Sequence, residues 1–139
     1  MDIYEATQTL LMQAVPDVNV SSFVLTYDEE MDKFLLPDFP AVTYNYSTMT
    51  PVVAQGESSD LYRVVLDVEV WGDLEQMDAN AKKVIKAINA QRNTVGNVEF
   101  TLVIGETRDI MELGLDFKRR FLRFVGLAQI GESGGEASL

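Results

Sequence analysis

The sequence of 139 residues contains no cysteine and no histidine. Without cysteine the chain forms no disulfide and offers no thiolate as a nucleophile or metal ligand. Without histidine it lacks the side chain that titrates nearest neutral pH, the commonest metal ligand, and the base of a Ser-His or Cys-His pair. We therefore expect a protein that is not an enzyme, with no catalytic residue, no metal and no cofactor.

Positive charge is also scarce, with 11 basic residues against 22 acidic ones and a net charge of −11. Such a surface repels phosphates, which argues against general binding to nucleic acid. No run of 18 apolar residues is present, so no membrane span is expected. The start, MDIYEATQTL, carries an acid at position two and no basic segment, which argues against a secretory signal and favours a cytosolic origin.

The size and composition suit one domain, which we expect over residues 1–128. A chain of this length buries about two-thirds of the surface that its unfolded form exposes. Residues 129–139 are Gly-, Ser- and Glu-rich and are expected to form a flexible tail.

The first third of the chain begins with a capped helix. Asp2 and Glu5 have the spacing of a capping box, and apolar residues recur at helical spacing over about residues 3–14 before Val15-Pro16-Asp17 ends the pattern. Val18–Tyr27 is β-prone, and Asp28–Phe34 is consistent with one acidic helical turn. Two prolines then predict an extended, irregular passage.

Two further strands are predicted around a long polar segment. Ala41–Tyr46 alternates as a strand, whereas Ser47–Ser59 is polar, contains a proline and a glycine, and is predicted to be a hairpin loop. A loop of that length is commonly functional, although a plain surface excursion explains it equally well. Asp60–Trp71 alternates cleanly, which predicts one core face and one mixed face.

The strongest helical pattern follows at once. Asp73 and Gln76 form a second capping box, and the helix is predicted to run to about Gln91. Its apolar stripe, which should lie on the core face of the preceding strand, is Leu74, Met77, Ala81, Val84, Ile85 and Ile88.

The last third is predicted to contain two strands. Val98–Ile104 alternates, Gly105–Gly114 is polar and is expected to connect, and Leu115–Leu127 alternates again. The order of elements predicts an α+β fold: a mostly antiparallel sheet of about four to five strands with two helices packed on one face.

Few residues suggest chemistry. Asp67-x-Glu69 places two carboxylates on one strand face, as a magnesium site requires, but pairing across the sheet with Arg119 or Arg123 is the stronger expectation. Asp116-Phe117-Lys118 with Pro37-Asp38 resembles the two halves of a nuclease core. These halves lie too far apart in the sequence for that core.

One basic cluster stands out, Lys118-Arg119-Arg120 with Arg123, and phenylalanines are interleaved with it. A nucleic-acid site would stack bases on the phenylalanines and hold phosphates with the arginines. Neighbouring residues of a strand point to opposite faces, however, so Arg119 and Arg120 cannot both serve one surface. We favour ion pairs between subunits.

The layout of the whole domain resembles the tail-terminator and tail-completion proteins, also called head-to-tail joining proteins, of long-tailed bacteriophages. The segments that carry the resemblance are FPAVTY (Phe39–Tyr44), LYRVVLDVEVWGD (Leu61–Asp73), ANAKKVIKAINAQ (Ala79–Gln91) and KRRFLRFVGL (Lys118–Leu127). The strand that ends in a Trp-Gly step before the helix is the most recognisable of them.

This resemblance implies a structural virion protein that assembles in the host cytoplasm. It implies a hexameric ring that caps the head-proximal end of the tail tube, ends tube polymerisation and receives the head. The implied partners are other copies of the chain, the major tail protein and a neck protein, while DNA passes through the lumen without specific binding. No membrane partner is implied.

The resemblance carries no active site, but it suggests two surfaces. The expected contacts with neighbouring subunits or the tube are Arg63, Asp67, Glu69, Arg119 and Arg123. The long loop is expected to face the lumen or an adjacent ring through Thr50, Pro51, Gln55 and Glu57.

Three alternatives remain open at this point. The first is a head-side neck adaptor, since that family shares the layout, and the second is a monomeric binding module or assembly chaperone. The third is a small enzyme, either a metal-dependent nuclease or a hydrolase, that uses Asp67, Glu69 or Asp116.

Overall fold

The computed structural model describes residues 1–22, 26–52, 60–110 and 118–131. These residues form two helices and eight strands, and more than half of the described residues are in strands. In chain order the elements are α1 (Ile3–Ala14), β1 (Asn19–Ser22), β2 (Thr26–Asp28), β3 (Lys33–Leu35), β4 (Ala41–Pro51), β5 (Leu61–Gly72), α2 (Leu74–Ile88), β6 (Gln91–Val95), β7 (Val98–Ile110) and β8 (Lys118–Ile130).

Strand β5 lies inside a six-stranded sheet, with β4 on one side and β8 on the other. The full order is β1-β4-β5-β8-β7-β6, and the sheet curls into a half-barrel. Strand β1 pairs with β4 in parallel, while the other neighbours are antiparallel. The expected sheet of four to five antiparallel strands is therefore wrong, because the sheet is larger and mixed.

One of the unexpected strands has a sequence that does not alternate. Strand β6, with the sequence QRNTV, is polar, and its position at the sheet edge leaves most of its side chains exposed. Helix α2 was predicted to continue to Gln91. It ends at Ile88 because Asn89 takes an extended conformation and Ala90 a left-handed one, with φ of 57°.

Two strands are longer than their patterns indicate. Strand β4 continues past Tyr46 to Pro51 after a bulge, so the first part of the predicted loop is strand. Strand β7 continues past Ile104 to Ile110, also after a bulge, where a connection was expected. Both extensions are polar, and main-chain pairing with the long strands β5 and β8 holds them in the sheet. Residues 53–59 and 111–117 lie outside the described part.

The acidic helical turn expected at Asp28–Phe34 is a hairpin instead. Strands β2 and β3 form a separate two-stranded sheet. The carboxylate of Asp28 accepts hydrogen bonds from the backbone N–H groups of Glu30 and Met31, at 3.0 and 3.2 Å, and so stabilises the turn. The same side chain can cap a helix, which is why the sequence alone does not separate the two structures.

Both helices begin where their caps predict. Oδ1 of Asp2 accepts a hydrogen bond from the N–H of Glu5 at 2.8 Å. At α2 the capping box is complete: Asp73 accepts from the N–H of Gln76 at 2.8 Å, and the Gln76 side chain accepts from the N–H of Asp73 at 3.3 Å. These two predictions are confirmed.

The core lies between the helices and one face of the sheet. The stripe of α2 packs against the alternate residues of β5, as predicted, although Leu74 at its start is exposed. The buried side chains that join the two elements are Met77, Ala81, Val84, Ile88, Val64, Leu66, Val68 and Val70.

A charged network ties α2 to the β7–β8 hairpin. Arg120 donates to Asp109, which lies opposite it on β7, at 2.6 Å, and to Asp78 on α2 at 2.9 Å. Lys82 lies 2.9 Å from the same Asp78 carboxylate. Lys82 and, after it, Arg120 lower the pKa of Asp78, and Asp109 and Asp78 raise the pKa of Arg120.

The lowered pKa of Asp78 predicts a contribution to stability that is lost at low pH. The stabilisation is present above the pKa of an unfolded aspartate, about 3.9, and is lost as the pH falls through the lower pKa of the folded state. Urea unfolding of the Asp78→Asn variant should therefore show a smaller loss of unfolding free energy between about pH 6 and pH 2.5 than the original chain shows. Lys82→Met should give part of the same change, and equal losses in all three proteins would contradict the prediction.

Gly126 predicts a second stability effect. A Cβ atom at this position would lie 2.1 Å from the carbonyl oxygen of Thr101 on β7, so the two strands would have to separate. Gly126→Ala should lower the free energy of unfolding by about 1–3 kcal/mol, the usual cost of overpacking. Gly105→Ala is the matched control on the facing strand, since its Cβ would meet no atom closer than 3.6 Å. Equal urea midpoints for the two variants would refute this explanation.

Candidate functional site

The face of the sheet turned away from the helices is the candidate site, and we call it the open face. Within the described residues both helices pack on the opposite side, against the core cluster. The open face carries the alternate residues of three neighbouring strands: Arg63, Val65, Asp67, Glu69 and Trp71 of β5, Arg119, Phe121, Arg123, Val125 and Leu127 of β8, and Thr101 and Val103 of β7. It therefore unites all five residues that the sequence suggested as an interface.

Two ion pairs cross the centre of this face. Arg123 lies directly opposite Asp67 and donates to both of its carboxylate oxygens, at 2.8 and 3.2 Å. Arg119 lies opposite Trp71 and donates at 2.7 Å to Glu69, which is two residues before Trp71 on β5. Pairing with Asp67 raises the pKa of Arg123. The predicted pairing across the sheet is confirmed, so these four charges already have partners within the chain.

The two pairs differ in exposure. The side chain of Arg119 is 10% exposed, whereas that of Arg123 is 40% exposed. Arg119 also lies over the ring of Trp71, at 5.2 Å from the ring centroid. Its charge is therefore shielded from water on more than one side, which strengthens its attraction to Glu69 and raises the cost of losing it.

Arginines cover the aromatic rings at this end of the face. The guanidinium groups of Arg108 and Arg123 both lie over the Phe121 ring, at 4.9 and 5.2 Å from its centroid. The Trp71 ring stacks on Phe39 at 6.0 Å, and its Nε1 donates to Thr43 at 2.8 Å. These rings are engaged in cation–π and stacking contacts.

The basic cluster is therefore not one surface. Arg119 and Arg123 lie on the open face, while Arg120 points to the helix side and joins its charged network. Phe124 is buried in the core, and Phe121 is covered by arginine. The sequence correctly placed Arg119 and Arg120 on opposite faces, and each has an acidic partner.

The other end of the open face is apolar and accessible. Val65, Val103 and Val125 lie side by side across three strands, and Leu127 follows two residues further along β8. Val103, Val125 and Leu127 are exposed. Arg63 lies opposite Leu127, is exposed, and makes no ion pair with any residue that the structure describes. We call these four apolar residues the apolar patch.

The residues suggested for the lumen fall at the end of β4. Thr50 pairs with Arg63 and Pro51 with Tyr62, so both belong to a strand and not to the predicted loop. Gln55 and Glu57 lie outside the described residues, as do Asp116 and Phe117 of the suggested nuclease motif.

The geometry gives little support for chemistry on this face. In the described ranges no group of three or more acidic side chains is arranged to hold a metal ion. Asp67 and Glu69, the candidate magnesium ligands, each bind an arginine. Neither helix of the described chain has the length and apolar character to cross a membrane.

Sequence reasoning missed the covering of Trp71 and Phe121. The alternation of β5 already placed Trp71 on the same face as Glu69, which was a usable signal. No such signal in the sequence indicated the contacts from Phe39 and Arg108. Phe39 precedes β4, and Arg108 lies in the polar part of β7 that was expected to be a connection.

Comparison with known proteins identifies the fold. The chain is similar to a chain in the virion of a native gene transfer agent (GTA) particle, with a TM-score of 0.59 and 13% sequence identity. The similarity covers 94% of this chain and 95% of that chain, so the two share one fold over nearly their whole lengths. No protein-family model matches the sequence, and no curated protein matches it.

The two ion pairs of the open face predict different effects on stability. Glu69→Gln should lower the unfolding free energy by about 1–3 kcal/mol, because it removes a charged acceptor from the largely buried Arg119. Asp67→Asn should lower it less, since water screens the exposed Arg123. Urea unfolding of both variants measures the difference. A larger loss for Asp67→Asn would contradict the ranking of the two pairs by burial.

Proposed function

We propose that this chain is a structural protein of a phage-like virion, and that its copies form a ring that caps the head-proximal end of a tail tube. The observation that carries the proposal is the shared fold with a chain of a gene transfer agent virion, because it covers almost all of both chains. The layout that resembles tail terminators points to the same role.

The open face supports assembly better than catalysis. Its carboxylates are paired with arginines, while its apolar patch and Arg63 remain accessible. An accessible apolar surface on a sheet is typical of a contact with another protein. In the proposed ring Arg63, Asp67, Glu69, Arg119 and Arg123 lie at or beside the contact between subunits, and the last four present ion pairs to the neighbour.

The charge of the chain fits a channel for DNA. Each copy carries a net charge of −11, and six copies would carry six times that charge around one lumen. Such a ring repels the phosphate backbone, so DNA passes without adhering. Thr50 and Pro51, at the exposed end of β4, are the described residues that we place nearest the lumen or an adjacent ring.

A second candidate is a neck adaptor on the head side, which the same fold would serve equally well. A monomeric binding module or assembly chaperone is a third, and the accessible apolar patch would then bind a partner of a different kind. The three roles differ in self-association and in which particle the chain binds.

The test uses the major tail (tube) protein of the same virion, which the proposal names as a partner. Tube protein is polymerised with and without the purified chain, and gold-labelled chain is located by electron microscopy. A terminator shortens the tubes and labels one end of each, and the free chain forms annular particles. A neck adaptor labels tail-less heads instead of tubes.

Two outcomes would overturn the proposal. One is tubes of unchanged length without label at their ends. The other is a chain that stays monomeric and binds neither tubes nor heads. Gly126→Ala, which is expected to weaken the fold without changing a residue of the open face, serves as the control for effects of stability alone.

A further inference from the structure

Strands β2 and β3 form an arm that has little contact with the rest of the described chain. The two strands pair over three residues each and make no ladder with the main sheet. None of the described residues from Thr26 to Leu36 is buried, and none belongs to the core cluster. A two-stranded hairpin is at best marginally stable in water and needs a surface to pack against.

The arm nevertheless has a defined shape. The rings of Tyr27 and Phe34 meet edge to face at 5.2 Å, and the Tyr27 hydroxyl donates to Asp32. The Asp28 carboxylate fixes the turn through the N–H groups of Glu30 and Met31. An arm that keeps a defined shape without a buried core of its own is expected to pack against another surface.

The exposed surface of the arm is apolar and acidic together. Its exposed apolar side chains are Tyr27, Met31, Leu35 and the adjoining Leu36. Its turn carries Asp28, Glu29, Glu30 and Asp32. A complementary surface would therefore be apolar with positive charge at its margin.

The apolar patch of the open face has these properties. Arg63 lies at one margin of the patch, beside Leu127. Arg108 lies beyond the opposite margin, exposed over the Phe121 ring, and the exposed Glu106 and the paired Arg123 lie between it and the patch. Neither Arg63 nor Arg108 makes an ion pair with another described residue, in a chain whose net charge is −11. An acidic partner is the one that these two charges favour.

We propose that the arm of one copy docks on the apolar patch of a second copy, and that this contact builds the ring. The inference rests on the proposed function and adds its subunit contact. The arm and the patch are different surfaces, so the contact is head-to-tail, which closes into a ring where the rotation allows. In the structure the arm leaves its own patch uncovered, since Val103, Val125 and Leu127 are exposed, which leaves the patch to a neighbour. Acids of the arm near Arg63 and Arg108 offset the repulsion between acidic copies.

The test uses two variants that each damage one surface. Met31→Asp changes the arm at a side chain that is 58% exposed, and Val103→Asp changes the patch at one that is 46% exposed. A new carboxylate in an apolar contact must lose water without a partner, so each variant should weaken self-association by about tenfold or more. Sedimentation over a range of concentrations measures this.

Mixing the two variants gives the sharpest result. The intact arm of the Val103→Asp chain fits the intact patch of the Met31→Asp chain, while their damaged surfaces cannot pair. The mixture should therefore form one-to-one heterodimers and nothing larger. Met12→Asp and Leu74→Asp, at side chains that are 52% and 56% exposed on the two helices, are matched controls that should associate like the original chain. Circular dichroism confirms that all four variants fold.

The outcomes separate this inference from the proposed function. If the original chain is monomeric at every concentration yet caps tubes, the arm-to-patch contact is wrong and the terminator role stands. The same holds if rings form and both variants still enter them, or if the mixed variants give no heterodimer. If the variants associate normally but fail to cap tubes, the arm binds the tube protein and not a second copy. If the original chain self-associates but does not cap tubes, the proposed function is overturned and the contact between copies is not.

Discussion

The double-sided pairing of strand β5 is the constraint on which the structure depends. Ten of its twelve residues pair with β4 on one side and all twelve pair with β8 on the other, so its alternation sets which residues lie on each face of the sheet. One face receives Val64, Leu66, Val68 and Val70 and with them the helices. The other receives the charged and aromatic residues of the open face. A shift of one residue would exchange the two sets, and the burial of four apolar side chains opposes any such shift.

The open face is divided into two halves by what covers it. At one end Trp71 and Phe121 are enclosed by arginines whose charges are balanced by Glu69 and Asp67. At the other end the same alternation places valines and a leucine in contact with water. The first half stabilises the sheet from its second side, while the second half is exposed to water. In the proposed ring, a neighbouring subunit would complete the burial of that second half.

The effect of the net negative charge of the chain depends on where its few cations lie. Arg119, Arg120 and Arg123 are each bound to carboxylates of the same chain, and the pKa values of Arg120 and Arg123 are raised as a result. The cations that keep no such partner in the described residues include Arg63 and Arg108, on or beside the open face. In the proposed ring, net charge would set how strongly copies repel, and the arginines without an ion-pair partner in the described residues would set where an acidic segment of a neighbour can bind.

The sequence by itself determined the features that local chemistry enforces. Both helix starts followed from Asp2 and Asp73, the stripe of α2 from its spacing, and the two faces of β5 and β8 from alternation. Only the tertiary structure decided that β1 pairs in parallel, that the polar segment QRNTV is a strand, and that residues 26–35 form a hairpin. Polar edge strands are held by main-chain hydrogen bonds to a neighbour and not by their own side chains, so their composition carries no periodic signal. Likewise, the contacts of Phe39 and Arg108 join residues remote in sequence, and only the folded sheet brings them together.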